Sequence, residues 1–139
     1  MKLRYLLDTG VVSSPAAKVP SAAIVAKLAR QGSSCAIGAP ALHELTYGVA
    51  RLPEGKKRER LKGYIEEVVM NTFPVLPYDL AAARWHGKER ARLEALGKAA
   101  PFVDGQIAAI ARTNDLILVT TNSADFDAFD GLQVEDWSN

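Results

Sequence analysis

The sequence predicts an α/β fold with a mostly parallel central sheet wrapped by helices. Strand-like and helix-like segments alternate along the chain, as in proteins whose parallel strands are joined through helices. In addition, the apolar run 5–7 ends at Asp8, and the apolar run 116–119 is followed shortly by Asp125. In an open parallel sheet such runs are buried strands, and a polar residue at a carboxyl end faces a crevice where ligands bind.

Length and composition predict one domain over residues 1–139. The chain has 139 residues, of which 48% are hydrophobic and 24% charged, and single domains commonly contain about 100–150 residues. No apolar stretch approaches the roughly 20 residues that span a bilayer, and the segment before Asp8 is too short for a signal peptide. We therefore expect a cytoplasmic protein. Cys35 is the only cysteine and is expected to be a buried strand residue, not a reactive thiol.

The first half of the chain shows the pattern strand, helix, strand, helix. Residues 3–7 are strand-like, and residues 21–32 have apolar positions at helical spacing between a serine and a glycine. A short strand is expected at residues 35–37. Pro40 suits the first turn of the helix that follows, which places Glu44 in the early turns of that helix.

The middle of the chain predicts two helices. Residues 54–70 are highly charged with one apolar side, and residues 73–76 form another apolar edge. Residues 79–97 form a long amphipathic pattern that begins at an aspartate suited to an N-cap and ends at a glycine. We expect these middle helices to form a helical arm.

The last third predicts a helix and a strand. Pro101 precedes a helical pattern that contains Asp104, and residues 116–119 are the clearest strand-like run in the chain.

Four acidic residues are candidates for a single site: Asp8, Glu44, Asp104 and Asp125. Asp8 and Asp125 follow strand-like runs, whereas a capping aspartate should directly precede a helix. Asp104 has an alternative role at the positive end of its own helix. Four carboxylates gathered without a cation would cost several kcal/mol in repulsion or would force some of them to be protonated.

A hard divalent cation would stabilise such a cluster. Mg²⁺ or Mn²⁺ prefers oxygen ligands and bridges protein carboxylates to substrate phosphates, which predicts metal-assisted phosphodiester hydrolysis. Basic residues in the middle of the chain are either solvated helix faces or a basic rim around this acidic pocket that holds a polyanion. They fall in the segment 56–62 and at Arg84, Lys88, Arg90, Arg92 and Lys98.

The ordered set of motifs resembles PIN-domain ribonucleases and is most similar to the VapC toxins of bacterial toxin–antitoxin pairs. The residues that carry this resemblance are Leu7-Asp8-Thr9, Leu42-His43-Glu44-Leu45, the segment 104–111 and the segment 120–126. The resemblance covers nearly the whole chain, including the closing segment 131–137.

By this resemblance the chain is a single PIN-like domain and a metal-dependent endoribonuclease that acts as a toxin. The implied cofactor is Mg²⁺ or Mn²⁺, and the implied partners are an RNA substrate, a second copy of the chain and a small antitoxin whose C-terminal part covers the site. The metal-binding acids would be Asp8, Glu44, Asp104 and Asp125, and the residues that order their loops would be Thr9, Thr120 and Asn122.

One position departs from the family pattern. Where the family usually has Asp-Thr-Asn, this chain has Asp8-Thr9-Gly10, and glycine cannot supply a side-chain amide to order the loop. We expect weaker catalysis, unless another polar residue such as Ser13 or Ser14 takes that role.

Two other functions are compatible with parts of the sequence. The motif Asp8-Thr9-Gly10 also resembles the active-site motif of aspartic proteases, in which two aspartates share a proton. Retroviral-type proteases are all-β, however, and this chain has a single such motif and helical periodicity. The other alternative is a non-catalytic binding module that keeps the fold and the acids and acts through its partner. Gly10 is the feature that favours it, and metal-dependent cleavage of RNA separates it from the enzyme.

The histidines and large aromatic residues add little to these hypotheses. His43 and His86 have no partner at metal-ligand spacing and are typical of partly buried helix residues. Trp85 and Tyr47 are expected to be core or dimer contacts and not platforms for stacking bases.

Overall fold

The computed structural model describes residues 2–138, and within them the protein contains a five-stranded sheet. The strands are β1 (Tyr5–Leu7), β2 (Cys35–Gly38), β3 (Val75–Leu76), β4 (Ile117–Val119) and β5 (Val134–Glu135). All neighbouring strands run parallel, in the order β3-β2-β1-β4-β5. The predicted parallel α/β sheet is thus confirmed. The chain adds β2 and β3 on one side of β1 and then β4 and β5 on the other side. The topological switch point therefore lies between β1 and β4, at their carboxyl ends.

Helices connect and cover these strands. They are α1 (Thr9–Ser13), α2 (Ala22–Gln31), α3 (Ala39–Ala50), α4 (Lys56–Gly63), α5 (Met70–Thr72), α6 (Leu80–Ala95) and α7 (Phe102–Thr113), with a π-helical segment, Tyr64–Val69, between α4 and α5. Asp79 caps α6 as predicted, because its side chain accepts a hydrogen bond from Ala82 N at 3.0 Å. Gly97 follows α6 with a φ of +71°, a conformation that favours glycine. No helix among residues 2–138 has both the length and the hydropathy of a membrane span.

The sheet buries a core on each of its faces. Successive strand residues point to opposite faces, and the structure divides them accordingly. Leu6, Ala36 and Leu118 pack with α6 and α7. Their neighbours Leu7, Ile37 and Val119 pack on the other face with α1, α2 and the π-helical segment. The middle helices expected to form one arm are present, but they are divided between the faces, because each has an apolar side that the sheet buries.

Cys35 is a buried residue of β2, as predicted. Its burial raises the pKa of the thiol to about 11. The thiolate is therefore scarce at neutral pH, as is typical of a structural cysteine.

Helix α1 is the element that the sequence did not predict. Gly10, Val11 and Val12 have low helix propensity, yet both valines are fully buried on the sheet. Tertiary packing outweighs local preference here. The side chain of Asp8 accepts a hydrogen bond from Thr9 N and caps this helix, so the expectation that Asp8 does not precede a helix was wrong.

Helices α6 and α7 pack closely because Gly105 has no side chain. A Cβ atom on Gly105 would overlap the imidazole ring of His86 at Nε2. His86 is buried, and its Nδ1 is 2.9 Å from the Tyr78 hydroxyl. The ring of His86 also packs against Phe102. The imidazole is therefore held on several sides and cannot move away from an added methyl group without disturbing its neighbours.

Replacing Gly105 with alanine should destabilise the protein. We expect Gly105→Ala to lower the free energy of unfolding by about 1–3 kcal/mol, the usual cost of overpacking a core. The matched control is Gly87→Ala on α6, where no atom lies within 4 Å of the added Cβ. This control should be neutral or stabilising by up to about 1 kcal/mol. Urea unfolding measures both variants, and equal stability of the two would contradict the described packing.

Candidate active site

Asp8 lies at the switch point of the sheet, directly after β1, and its carboxylate is held through both oxygens. Oδ1 accepts a hydrogen bond from Thr9 N at 2.8 Å, and Oδ2 accepts one from the Thr120 hydroxyl at 2.8 Å. Asp8 N donates to Val119 O at 2.9 Å. Thr120 is fully buried after β4, so the two neighbouring strand ends together orient this carboxylate.

Glu44 is brought to the same place by α3. The Thr9 hydroxyl donates to Glu44 Oε1 at 2.7 Å, while the backbone N–H of Thr9 binds Asp8. Thr9 therefore connects two of the predicted acids through two different groups.

Asp104 lies in the first turn of α7 and is half-buried. Burial, followed by the charges of Asp8, Asp125 and Glu44, raises the pKa of Asp104 to about 6. Burial also raises the pKa of Asp8, although hydrogen bonds from Thr120 and Thr9 oppose this effect, and Glu44 and Asp125 raise it further. The structure thus brings the four predicted acids close enough for their charges to interact.

Asp125 is exposed in the 3₁₀ segment Ser123–Phe126. Its backbone N–H donates to Asn122 O at 3.0 Å, and Asn122 N donates to the Thr120 hydroxyl at 3.1 Å. The Thr120 hydroxyl therefore accepts from the loop of Asp125 and donates to Asp8. Asn122 takes part in this loop through its backbone.

The sequence analysis missed an ion pair between buried Glu89 and exposed Arg92 beside the loop of Asp125. Glu89 on α6 is 6% exposed, and it accepts two hydrogen bonds from Arg92, at 2.6 and 2.8 Å, and one from Asp130 N at 2.5 Å. Arg92 also donates to Ala128 O at 2.8 Å. These bonds tie the segment after Asp125 to α6. The signal in the sequence was an acid on the apolar stripe of a helix, since buried carboxylates require partners.

The donor chemistry of the four acids suits a hard divalent cation. Carboxylate oxygens are the ligands that Mg²⁺ and Mn²⁺ prefer, and the ion pairs found among residues 2–138, Arg90–Glu94 and Arg92–Glu89, involve none of these acids. Their negative charge is therefore not neutralised by a basic side chain of the described chain. In the same residues no three acidic, histidine or cysteine side chains are already arranged to hold one ion.

The model of the PIN domain family matches residues 5–132. The chain belongs to the PIN-domain family. It is 33% identical over 138 residues to the tRNA(fMet)-specific endonuclease VapC of Shigella flexneri, covering 98% of this chain and 99% of that relative. The predicted resemblance to VapC-type PIN domains is confirmed.

Solved structures of PIN-domain relatives share the same fold over nearly the whole chain. FitAB bound to the IR36 DNA fragment superimposes with a TM-score of 0.89 at 30% identity, covering 97% of this chain and 96% of that chain. VapBC-5 from Mycobacterium tuberculosis, a member of the VapBC family of toxin–antitoxin systems, gives a TM-score of 0.70 at 28% identity, with 96% of each chain covered.

The histidines and aromatic residues singled out in the sequence make no hydrogen bond to the four acids among residues 2–138. His43 is exposed on α3, and His86 binds Tyr78 within the α6–α7 packing. Trp85 packs against Phe129, as expected of a core contact. Tyr47 is 60% exposed, so it is not a core residue.

Gly10 is not a conformational requirement of this PIN domain. Its φ is not positive, and a Cβ atom there would lie 3.8 Å from the Thr121 hydroxyl oxygen, an ordinary contact. The Ser13 hydroxyl donates to Gly10 O, and the Ser14 hydroxyl accepts from Ser21 N. Neither serine bonds to an acid of the site in the described part of the chain, so neither replaces the amide that the family pattern has at this position.

Introducing asparagine at Gly10 should therefore strengthen the site. One side-chain hydrogen bond contributes about 0.5–1.5 kcal/mol, and more to a charged group, so Gly10→Asn should raise Mg²⁺ affinity by roughly threefold to some tens of fold. Calorimetric titration with Mg²⁺ measures this change. Gly10→Ala is the matched control, because it stabilises α1 without an amide. An equal gain in the alanine variant, or weaker binding in a folded asparagine variant, would contradict the explanation.

The raised pKa of Asp104 predicts a pH-dependent stability. Because folding raises this pKa, the ionised carboxylate costs stability above about pH 6, and the cost disappears below about pH 4, where both folded and unfolded states are protonated. In metal-free buffer Asp104→Asn should stabilise the protein at pH 7.5 by about 1 kcal/mol, after allowance for solvent screening of a half-buried group. The gain should fade as the pH falls to 4.

Urea unfolding at several pH values measures the effect of Asp104→Asn. The control is Asp127→Asn, since Asp127 is exposed and does not shift the pKa of Asp8 or Asp104. Stabilisation that is absent at pH 7.5, or that is the same at every pH, would show that Asp104 does not carry the proposed electrostatic cost.

Proposed function

We propose that this PIN domain is a cytoplasmic endoribonuclease that acts as the toxin of a toxin–antitoxin pair and hydrolyses RNA phosphodiester bonds with a divalent cation. The observation that carries the proposal is the meeting of four carboxylates at the switch point of the sheet without a neutralising basic partner among the described residues. A site of this kind supplies oxygen ligands and excess negative charge, which are the conditions for binding Mg²⁺ or Mn²⁺. The similarity to an endonuclease named VapC supports the same conclusion.

The proposed ligands of Mg²⁺ or Mn²⁺ are Asp8, Glu44, Asp104 and Asp125. When bound, the cation would polarise the scissile phosphate, lower the pKa of an attacking water and stabilise the leaving oxygen. The protein itself contributes the hydrogen bonds that orient Asp8 and Glu44.

The threonines of the site orient two of its acids, Asp8 and Glu44. Hydrogen bonds from Thr120 and Thr9 favour the ionised form of Asp8 and fix the direction of its carboxylate. The second bond of Thr9 orients Glu44. Asp104 keeps a proton below about pH 6, so acid conditions should weaken cation binding through this residue.

The proposal includes two protein partners. One is a small antitoxin whose C-terminal part covers the acids, with an arginine or lysine in the place of the cation. VapBC-5, named as a member of a toxin–antitoxin family, supports this partner. The other is a second copy of the chain, because apolar side chains of α3 and α5, including Tyr47 and Met70, remain exposed along grooves beside α3.

The alternative is a non-catalytic PIN-fold module that works through its partner. Gly10 favours it, because the loop after β1 lacks the amide of the family pattern. The bonds of Asp8 to Thr9 and Thr120 weaken this alternative, since they orient the carboxylate without that amide.

Cleavage of RNA by the purified protein tests the proposal. Wild type with Mg²⁺ or Mn²⁺ should cut structured RNAs, including tRNA, and EDTA should stop the reaction. Asp8→Asn and Asp104→Asn should each reduce the rate by about 100-fold or more, because a neutral amide keeps the shape and removes the charge that holds the cation. Asp127→Asn is the matched control and should cleave at the wild-type rate. Equal cleavage by all four proteins would identify a contaminant or another site and would reject the proposal.

A further inference from the structure

A basic groove of about 810 Å³ lies between the segment that follows α1 and the first turns of α4. Four of its lining side chains are basic, Lys18, Lys56, Lys57 and Arg60, and none is acidic. We call this feature the α4 groove. Lysine and arginine side chains on both walls of a groove produce a strongly positive potential between them.

The α4 groove leads to the acidic site. A second groove, of about 270 Å³, is lined by Glu44 and shares Ser13 and Lys57 with the α4 groove. Ser13 follows Thr9 by one turn of α1, which corresponds to about 6 Å along a helix. Because Thr9 binds both Asp8 and Glu44, the positive groove begins about one helical turn from the carboxylates.

The basic side chains of the α4 groove are available for a ligand. None of the four takes part in an ion pair or covers an aromatic ring in residues 2–138. The later basic set of the sequence differs, since Arg92 is bound to Glu89 and Arg90 contacts both Glu94 and Phe102. The four basic side chains of the α4 groove therefore remain without an acidic partner among residues 2–138, whereas Arg90 and Arg92 of the later set already bind other residues of the fold.

We infer that the α4 groove binds the phosphate backbone of single-stranded RNA next to the cleaved bond; this inference rests on the proposed function. A substrate of the acidic site carries a phosphate to the carboxylates and must overcome their repulsion, and a chain of phosphates provides further negative charges at regular intervals. Positive grooves that follow the backbone are the usual means of holding single strands. An acidic peptide would satisfy the lysines, but it would bring no phosphate to the neighbouring carboxylates.

The test measures binding of a labelled single-stranded oligouridylate of about 12 nucleotides, a length within the range of single-strand sites. EDTA prevents cleavage, so the wild-type protein is the reference. The test variant combines Lys57→Gln with Arg60→Gln. The matched control combines Arg58→Gln with Lys62→Gln, which removes the same charge from the same helix, but from side chains that line a different groove.

The Lys57→Gln, Arg60→Gln variant should bind the RNA about tenfold more weakly near 0.1 M salt. The slope of log affinity against log salt should fall by about 1.4, or about 0.7 for each phosphate that the variant no longer neutralises. The control pair should change affinity by less than about twofold, since long-range attraction alone is largely screened at this salt. Thermal unfolding of each variant confirms that the comparison is between folded proteins.

Several results would overturn the inference. Equal losses of affinity in both pairs would mean that RNA responds to net charge and not to the groove. Unchanged RNA affinity in the test variant would mean that RNA does not bind in the α4 groove. If that variant also bound an antitoxin more weakly, the α4 groove would be a binding site for a protein segment. Failure of the proposed nuclease activity is a separate outcome. RNA can bind in the α4 groove in EDTA even if Mg²⁺ and Mn²⁺ support no cleavage.

Discussion

Repulsion between carboxylates is the constraint on which the organisation of this protein depends. Four acids are held near one sheet edge, and burial together with the charges of the other three acids raises the pKa of Asp104. The fold offsets part of this cost locally: two donors stabilise the charge of Asp8, and Thr9 also binds Glu44. A bound cation would reduce the repulsion that remains. We therefore expect a divalent cation that binds these acids to stabilise the folded protein.

The parallel topology explains how acids distant in sequence meet. The ends of β1 and β4 are neighbours at the switch point, and a buried threonine there joins the loops that follow both strands. Helices α3 and α7 then bring one acid each from opposite sides of β1. Strands of three or four residues suffice, because both faces of the sheet are covered and backbone pairing is required only at the centre.

The sequence predicted those parts of the structure in which local pattern and tertiary packing agree. The strand before Asp8, the helix of Asp104 and the cap at Asp79 all follow from apolar spacing and end signals that the fold retains. Helix α1 did not follow, because burial of its valines outweighs their low helix propensity. The pair Glu89–Arg92 was also missed, since Glu89 stands among many charged residues of its helix and only its position on the apolar side indicates burial. The positions of the four acids were predictable; their mutual influence on pKa required the geometry.

The contact between His86 and Gly105 has a consequence for sequence variation in the family. The imidazole of His86 occupies the space where a side chain at position 105 would lie. The side chains at positions 86 and 105 therefore cannot both be large. Relatives with a larger residue at position 105 should carry a smaller one at position 86, and the two substitutions should rarely be found separately. Since position 105 directly follows Asp104, this steric pairing links the choice of residue at a buried position of α6 to the backbone that carries one of the four acids.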